Sequence, residues 1–90
     1  MATENRPITQ TNVTLLATTS TVLSALNSLR KTVTVQNLST TDTVYLGVGV
    51  TATASGIKLL PGSAWEPFEA PSNAINAYST GTPTLVILEG

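Results

Sequence analysis

Four groupings in this sequence have residue types that could carry chemistry. Gly47-Val-Gly49-Val-Thr-Ala52 matches the G-x-G-x-x-A dinucleotide pattern. That pattern works only where a helix N-terminus follows the glycines and receives the pyrophosphate. The stretch that follows, Thr51-Ala-Thr-Ala-Ser-Gly56, has no helical periodicity, so the glycines read as a flattened strand end. Glu66 and Glu69 bracket Pro67-Phe68 and could pose as an acid–base pair. Such pairs need surroundings that drive the two pKa values apart, and here the setting reads as a solvated loop. The serines would need a base; the chain has no His, and neither Lys31 nor Lys58 stands at a spacing that would serve. Asp42, Glu66, Glu69 and Glu89 are too dispersed for a calcium loop, and the absence of Cys removes thiolate metal sites and disulfides. The expectation is a non-enzyme with no catalytic residues, no cofactor and no metal.

What remains is recognition by contact. The rings are Tyr45, Trp65, Phe68 and Tyr78, and these four are the candidate interface residues. Trp65 has two readings. It could plug one end of the core, or it could be an exposed anchor of the kind enriched at interface hot spots. Its place just after the Pro61-Gly62 turn keeps the second reading open.

Composition bounds the partners. Ninety residues make one domain, close to the smallest size at which a single core holds a fold. Hydrophobic residues make up 41% of the chain but aromatic ones only 4%, so the core must come from Val, Leu, Ile and Ala. Charged residues are 10% of the chain and the net charge is −1, against about 25% charged in a typical soluble domain. A chain this poor in basic residues lacks the footprint expected of a nucleic-acid or anionic-membrane binder. Low charge also weakens the repulsion that keeps small proteins apart, and a Thr- and Ser-rich surface can be desolvated cheaply. The opening residues lack the order of a signal peptide, and the longest aliphatic run, residues 85–88, is too short for a membrane span.

The elements that would position these residues are strands. Residues 1–12 are polar, contain Pro7 and lack periodicity, and they read as a flexible arm that could order against a neighbour. A single β domain is expected over residues 13–90. Residues 13–17 form a first apolar run. Residues 21–29 are ambiguous between a strand and a helical turn, because Val22, Leu26 and Leu29 fall at helical spacing. Residues 31–36 and 43–50 alternate cleanly, Val33 and Val35 in the first and Val44, Leu46, Val48 and Val50 in the second. Together they read as an antiparallel hairpin with one buried face. Residues 57–60 give a short strand stopped by Pro61-Gly62. Pro67 and Pro71 keep residues 65–69 extended, residues 73–79 alternate with Ile75 and Ala77 on one face, and residues 84–89 close the chain. The fold expected is all-β: a small antiparallel sandwich, jelly-roll-like or a partly open barrel, of about 6–8 short strands. Its core draws on Val33, Val35, Val44, Leu46, Val48, Leu85 and Ile87, with Leu59 closing one end.

From Arg30 onward the order of short segments resembles a family of small virion proteins of tailed bacteriophages. The segments are Arg30-Lys-Thr-Val-Thr-Val-Gln-Asn37, Thr43-Val-Tyr-Leu-Gly47, Gly56-Ile-Lys-Leu-Leu-Pro-Gly62, Trp65-Glu-Pro-Phe-Glu69, Asn73-Ala-Ile-Asn-Ala-Tyr78 and Val86-Ile-Leu-Glu-Gly90. The likeness covers about two-thirds of the chain, and its weight lies in the order of the pieces. It implies a β-sandwich component of the virion, such as a capsid decoration (cement) protein or a head-fibre or tail piece. It further implies a homo-oligomer, a trimer foremost, that binds the major capsid protein or another virion protein. The alternative is a receptor- or carbohydrate-binding module of a fibre or tail. The scarcity of rings favours assembly over sugar binding.

Overall fold

A computed structural model describes residues 7–90 of the chain. Among them there is no helix and there are eight strands: β1 (Thr9–Thr14), β2 (Thr21–Ser24), β3 (Val33–Asn37), β4 (Val44–Val48), β5 (Ile57–Leu59), β6 (Ala64–Trp65), β7 (Ile75–Tyr78) and β8 (Thr84–Glu89). They form two four-stranded antiparallel sheets, β1-β8-β3-β6 (sheet A) and β2-β7-β4-β5 (sheet B). The pairs are nested: β1 with β8, β2 with β7, β3 with β6, β4 with β5. A long hairpin folded over on itself in this way is the jelly-roll arrangement.

The alternation in β3, β4 and β8 sets the inner faces. Val33, Val35, Leu85 and Ile87 of sheet A pack against Val44, Leu46, Leu59, Ile75 and Ala77 of sheet B, and all are buried. Leu15 and Leu23 complete this core. Val48, expected inside, is only half-buried, at the last position of β4. Val13 and Trp65 flank the core from the two edges of sheet A.

Two further expectations are corrected. Residues 31–36 and 43–50 do not form a hairpin: β3 lies in sheet A and β4 in sheet B, so residues 38–43 carry the chain from one layer to the other. Both strands do bury one face, but the faces meet across the core instead of lying side by side. The flexible arm drawn over residues 1–12 is also too long. β1 begins at Thr9 and pairs with β8 through Thr14 without a register break. Its side chains are polar because all but Val13 are exposed; backbone pairing, not burial, makes the strand. The remainder of that arm, residues 1–6, lies outside the described residues. The ambiguity over residues 21–29 resolves as β2 followed by a loop.

Polar side chains close both ends of the core. At one end Asn37, fully buried, donates through Nδ2 to the carbonyl of Asp42 at 2.7 Å and more weakly to those of Leu59 and Leu60. Its Oδ1 accepts from the backbone N–H of Ser39 at 3.0 Å. One amide thus ties the layer-crossing turn to the end of β5. The other end is closed by Arg30 and Glu89.

Candidate functional site

The arginine end is built by a bulge. Between Val22 and Ser24 the register of β2 against β7 shifts, so Leu23 and Ser24, neighbours in sequence, are both buried. A bulge re-aims side chains in this way. Ser24 then meets Glu89, whose position in β8 continues the inward row of Leu85 and Ile87. Arg30 enters between them. Its Nε donates to Glu89 Oε2 at 2.7 Å, its Nη1 to the carbonyls of Pro71 and Asn73, and its Nη2 to Ser24 Oγ at 2.8 Å and the carbonyl of Ala25 at 2.9 Å. Guanidinium has five N–H donors, and all five are occupied. The side chain is 0% exposed, that of Glu89 26%. Burial pushes the Glu89 carboxyl up, but the hydrogen bonds from Arg30 and Ser24 and the charge of Arg30 outweigh it, and the net effect holds the carboxyl below its ordinary value. No donor of Arg30 is left for a ligand, so this cluster is a strut that joins the two sheets.

The four candidate rings fall in three places. Trp65 stands opposite Val35 in the β3–β6 pair and turns inward, half-buried, against the core at the side of the sandwich. Tyr45 and Tyr78 are cross-strand partners, and Lys58 stands opposite Tyr45 on the other flank. Since Leu46 and Ala77 point inward, this row faces outward from sheet B. Both tyrosines are half-buried.

Phe68 is on neither row. Pro67 lacks a backbone donor and stops β6 from extending. The chain bends there, and Phe68 is fully exposed, at 102%. It lines a shallow groove of about 630 Å³ with Pro67, Ile8, Leu88 and Thr34. Leu88 and Thr34 are register partners on the outer face of sheet A, and Ile8 immediately precedes β1. Glu66 lies at the rim, where it accepts a hydrogen bond from Thr34 Oγ1 at 2.9 Å. Phe68 and the tyrosine pair therefore belong to different layers, and a single small ligand cannot touch both.

The remaining motifs are placed as follows. Gly47 sits in β4 and Ala52 is buried in the turn beyond it, with no helix following. A Cβ on Gly47 would come within 2.6 Å of the Val50 carbonyl oxygen, and Gly49 has φ +71°. These glycines let the turn fold back over its own strand, where Asn76 Nδ2 donates to the Val50 carbonyl at 2.7 Å. Lys31 lines the Phe68 groove and Lys58 lies in β5.

Sequence reasoning nominated Phe68 but missed its apolar neighbours Ile8 and Leu88, and it missed Arg30 and Ser24 as a buried cluster. A signal for Arg30 existed: it is one of only four basic residues and stands directly before a Val-rich strand. Compared with models of protein families and with curated proteins, the chain gives no match.

Proposed function

We propose that the chain is a non-catalytic structural protein of a bacteriophage virion, a decoration protein that binds the assembled shell and stabilises contacts between its subunits. The observation that carries this reading is Phe68, a wholly exposed ring set among Ile8, Pro67 and Leu88 on the outer face of sheet A. Single exposed aliphatic residues are ordinary, but an exposed ring amid apolar neighbours marks a contact surface. Removing a Phe ring from water is worth about 1.5–3 kcal/mol. The low charge of the chain supports the same reading, because docking then desolvates few ions. Jelly rolls occur in viral capsid and lectin domains, which is support at the level of fold alone. A subunit that binds only the assembled shell stabilises it by mass action.

The test is co-sedimentation of the purified protein with empty capsid shells of its virion. The parent should pellet with shells, and Phe68→Asp should stay in the supernatant while keeping the parent's melting temperature. Absence of binding by the parent sinks the reading; undiminished binding by the variant removes Phe68 from it. The resemblance implies that the protein is a homo-oligomer, three copies foremost.

The outward Tyr45–Tyr78 pair favours a second reading, a carbohydrate- or receptor-binding module of a fibre or tail. Side by side on a sheet face, two rings can receive the apolar face of a sugar. Saturable glycan binding that Tyr78→Ala abolishes would promote it.

A further inference from the structure

Each sheet ends in two edge strands: β1 and β6 in sheet A, β2 and β5 in sheet B. A free edge is a row of backbone donors and acceptors ready to pair with another chain, and proteins blunt such edges with short strands, Lys, Pro or bulges. Three of these four edges are blunted. β6 has two residues and Pro67 follows it closely; β5 has three, with Lys58 at its centre and Pro61 beyond; β2 is broken by its bulge. β1 carries no such device within it, and the one proline beside it, Pro7, stands before its first residue and leaves all six of its positions free to pair. It spans six residues, Thr-Gln-Thr-Asn-Val-Thr, with no charge and no proline. Its register against β8 holds through all six pairs, and among the described residues nothing pairs with its outer side.

We propose that β1 pairs antiparallel with β1 of a second copy across a twofold axis, joining two four-stranded sheets into one of eight strands. The inner faces of both copies must stay on one side of the joined sheet, which admits only registers that oppose residues of like parity. The register centred on Thr11 satisfies this and leaves no residue of the segment 8–14 unopposed. Thr11 faces Thr11, Gln10 faces Asn12, Thr9 faces Val13 and Ile8 faces Thr14 of the second copy. The sequence suits a copy of itself. No like charges meet, and the Gln10 and Asn12 amides, both exposed, each offer a donor and an acceptor to the other.

The twofold axis is perpendicular to the sheet, so both Phe68 faces lie on the same side of the dimer. Two docking patches then meet one shell surface, and the second contact forms at high effective concentration. This avidity rests on the proposed shell reading; the strand pairing does not. It sets two, not three, as the stoichiometry of the free protein.

The experiment is the solution mass of the full chain, measured by light scattering over a range of concentrations, with paired charge variants. The parent should show the mass of two chains. Gln10→Lys with Asn12→Lys places like charges opposite each other and should weaken dimerisation at least tenfold, giving the mass of one chain. Gln10→Lys with Asn12→Glu places opposite charges there and should restore two. Circular dichroism of both variants should match the parent, because these side chains are exposed. A parent of one or three chains overturns the pairing, and so does a dimer indifferent to the two-lysine variant. A monomer that still co-sediments with shells overturns the pairing alone; a dimer that binds no shell overturns the shell reading alone.

Discussion

The two ends of the core solve one problem with different chemistry. Where the sheets part, backbone carbonyls are left facing inward and need donors. At the Asn37 end one neutral amide supplies them, collecting the carbonyls of Asp42, Leu59 and Leu60. At the other end a guanidinium does so, collecting those of Ala25, Pro71 and Asn73, and its charge then requires Glu89. The neutral solution joins the sheets through one uncharged side chain, from Asn37 of β3 in sheet A to Leu59 of β5 in sheet B. The charged one also spans both sheets, since Ser24 belongs to sheet B and Glu89 to sheet A, and it gathers the loop carbonyls of Ala25, Pro71 and Asn73 as well. A donor-rich side chain gathers more of the fold, at the cost of making that end depend on a second ionised group.

The largest test of this contrast is Arg30→Ala. It leaves Glu89 partly buried without its cation and three carbonyls without donors, and should destabilise the domain by about 3–5 kcal/mol in chemical denaturation. For a domain of total stability about 5–15 kcal/mol that is a large fraction. Asn37→Ala strands fewer carbonyls, because that of Leu60 keeps the Ser63 N–H, and no charge, and should cost about 1–3 kcal/mol by the same measurement. Equal losses would mean that the charge at the arginine end adds nothing.

The smallest effect concerns pH. The folded state holds Glu89 below its ordinary value of 4.5, so its contribution is fully present above that value and is lost as pH falls through the lowered one. Denaturation midpoints followed into acid should therefore show the gap between the parent and Glu89→Gln closing. The gap between the parent and Asn37→Ala should stay constant, because the amide does not titrate. A gap for Glu89→Gln that stays open below the lowered value would separate the carboxylate's charge from its contribution.

How far the fold was legible follows from a distinction between local and distant partners. Val33 and Val35, Val44 and Leu46, Leu85 and Ile87 announce their strands because alternation is written in adjacent residues. Alternation does not say whether two consecutive strands pair or face each other, since both bury one face. That is why the β3–β4 crossing reads as a hairpin. β1 is hidden because an exposed edge strand has no apolar face to display. Ser24 is hidden because the bulge breaks the parity that would place it. Arg30 and Glu89 are 59 residues apart, and nothing near either one marks the other. Phe68 is legible as a residue, but its neighbours are not, because Ile8 and Leu88 reach it only through the closing of sheet A.

The strand order also dictates when this domain can come into being. β8, the latest strand of sheet A to leave the ribosome, is an interior strand, holding β1 on one flank and β3 on the other. Until residues 84–89 emerge, β1 has no partner in its own sheet, and β3 has only the two residues of β6. Sheet B waits in the same way for β7, which links β2 to β4. A nascent chain therefore carries apolar strands with open sides through nearly all of its synthesis, and closes by contacts distant in sequence. Such topologies fold slowly and are prone to aggregate while they wait. The sparing use of large rings in this chain keeps that waiting state less adhesive than its aliphatic content would suggest.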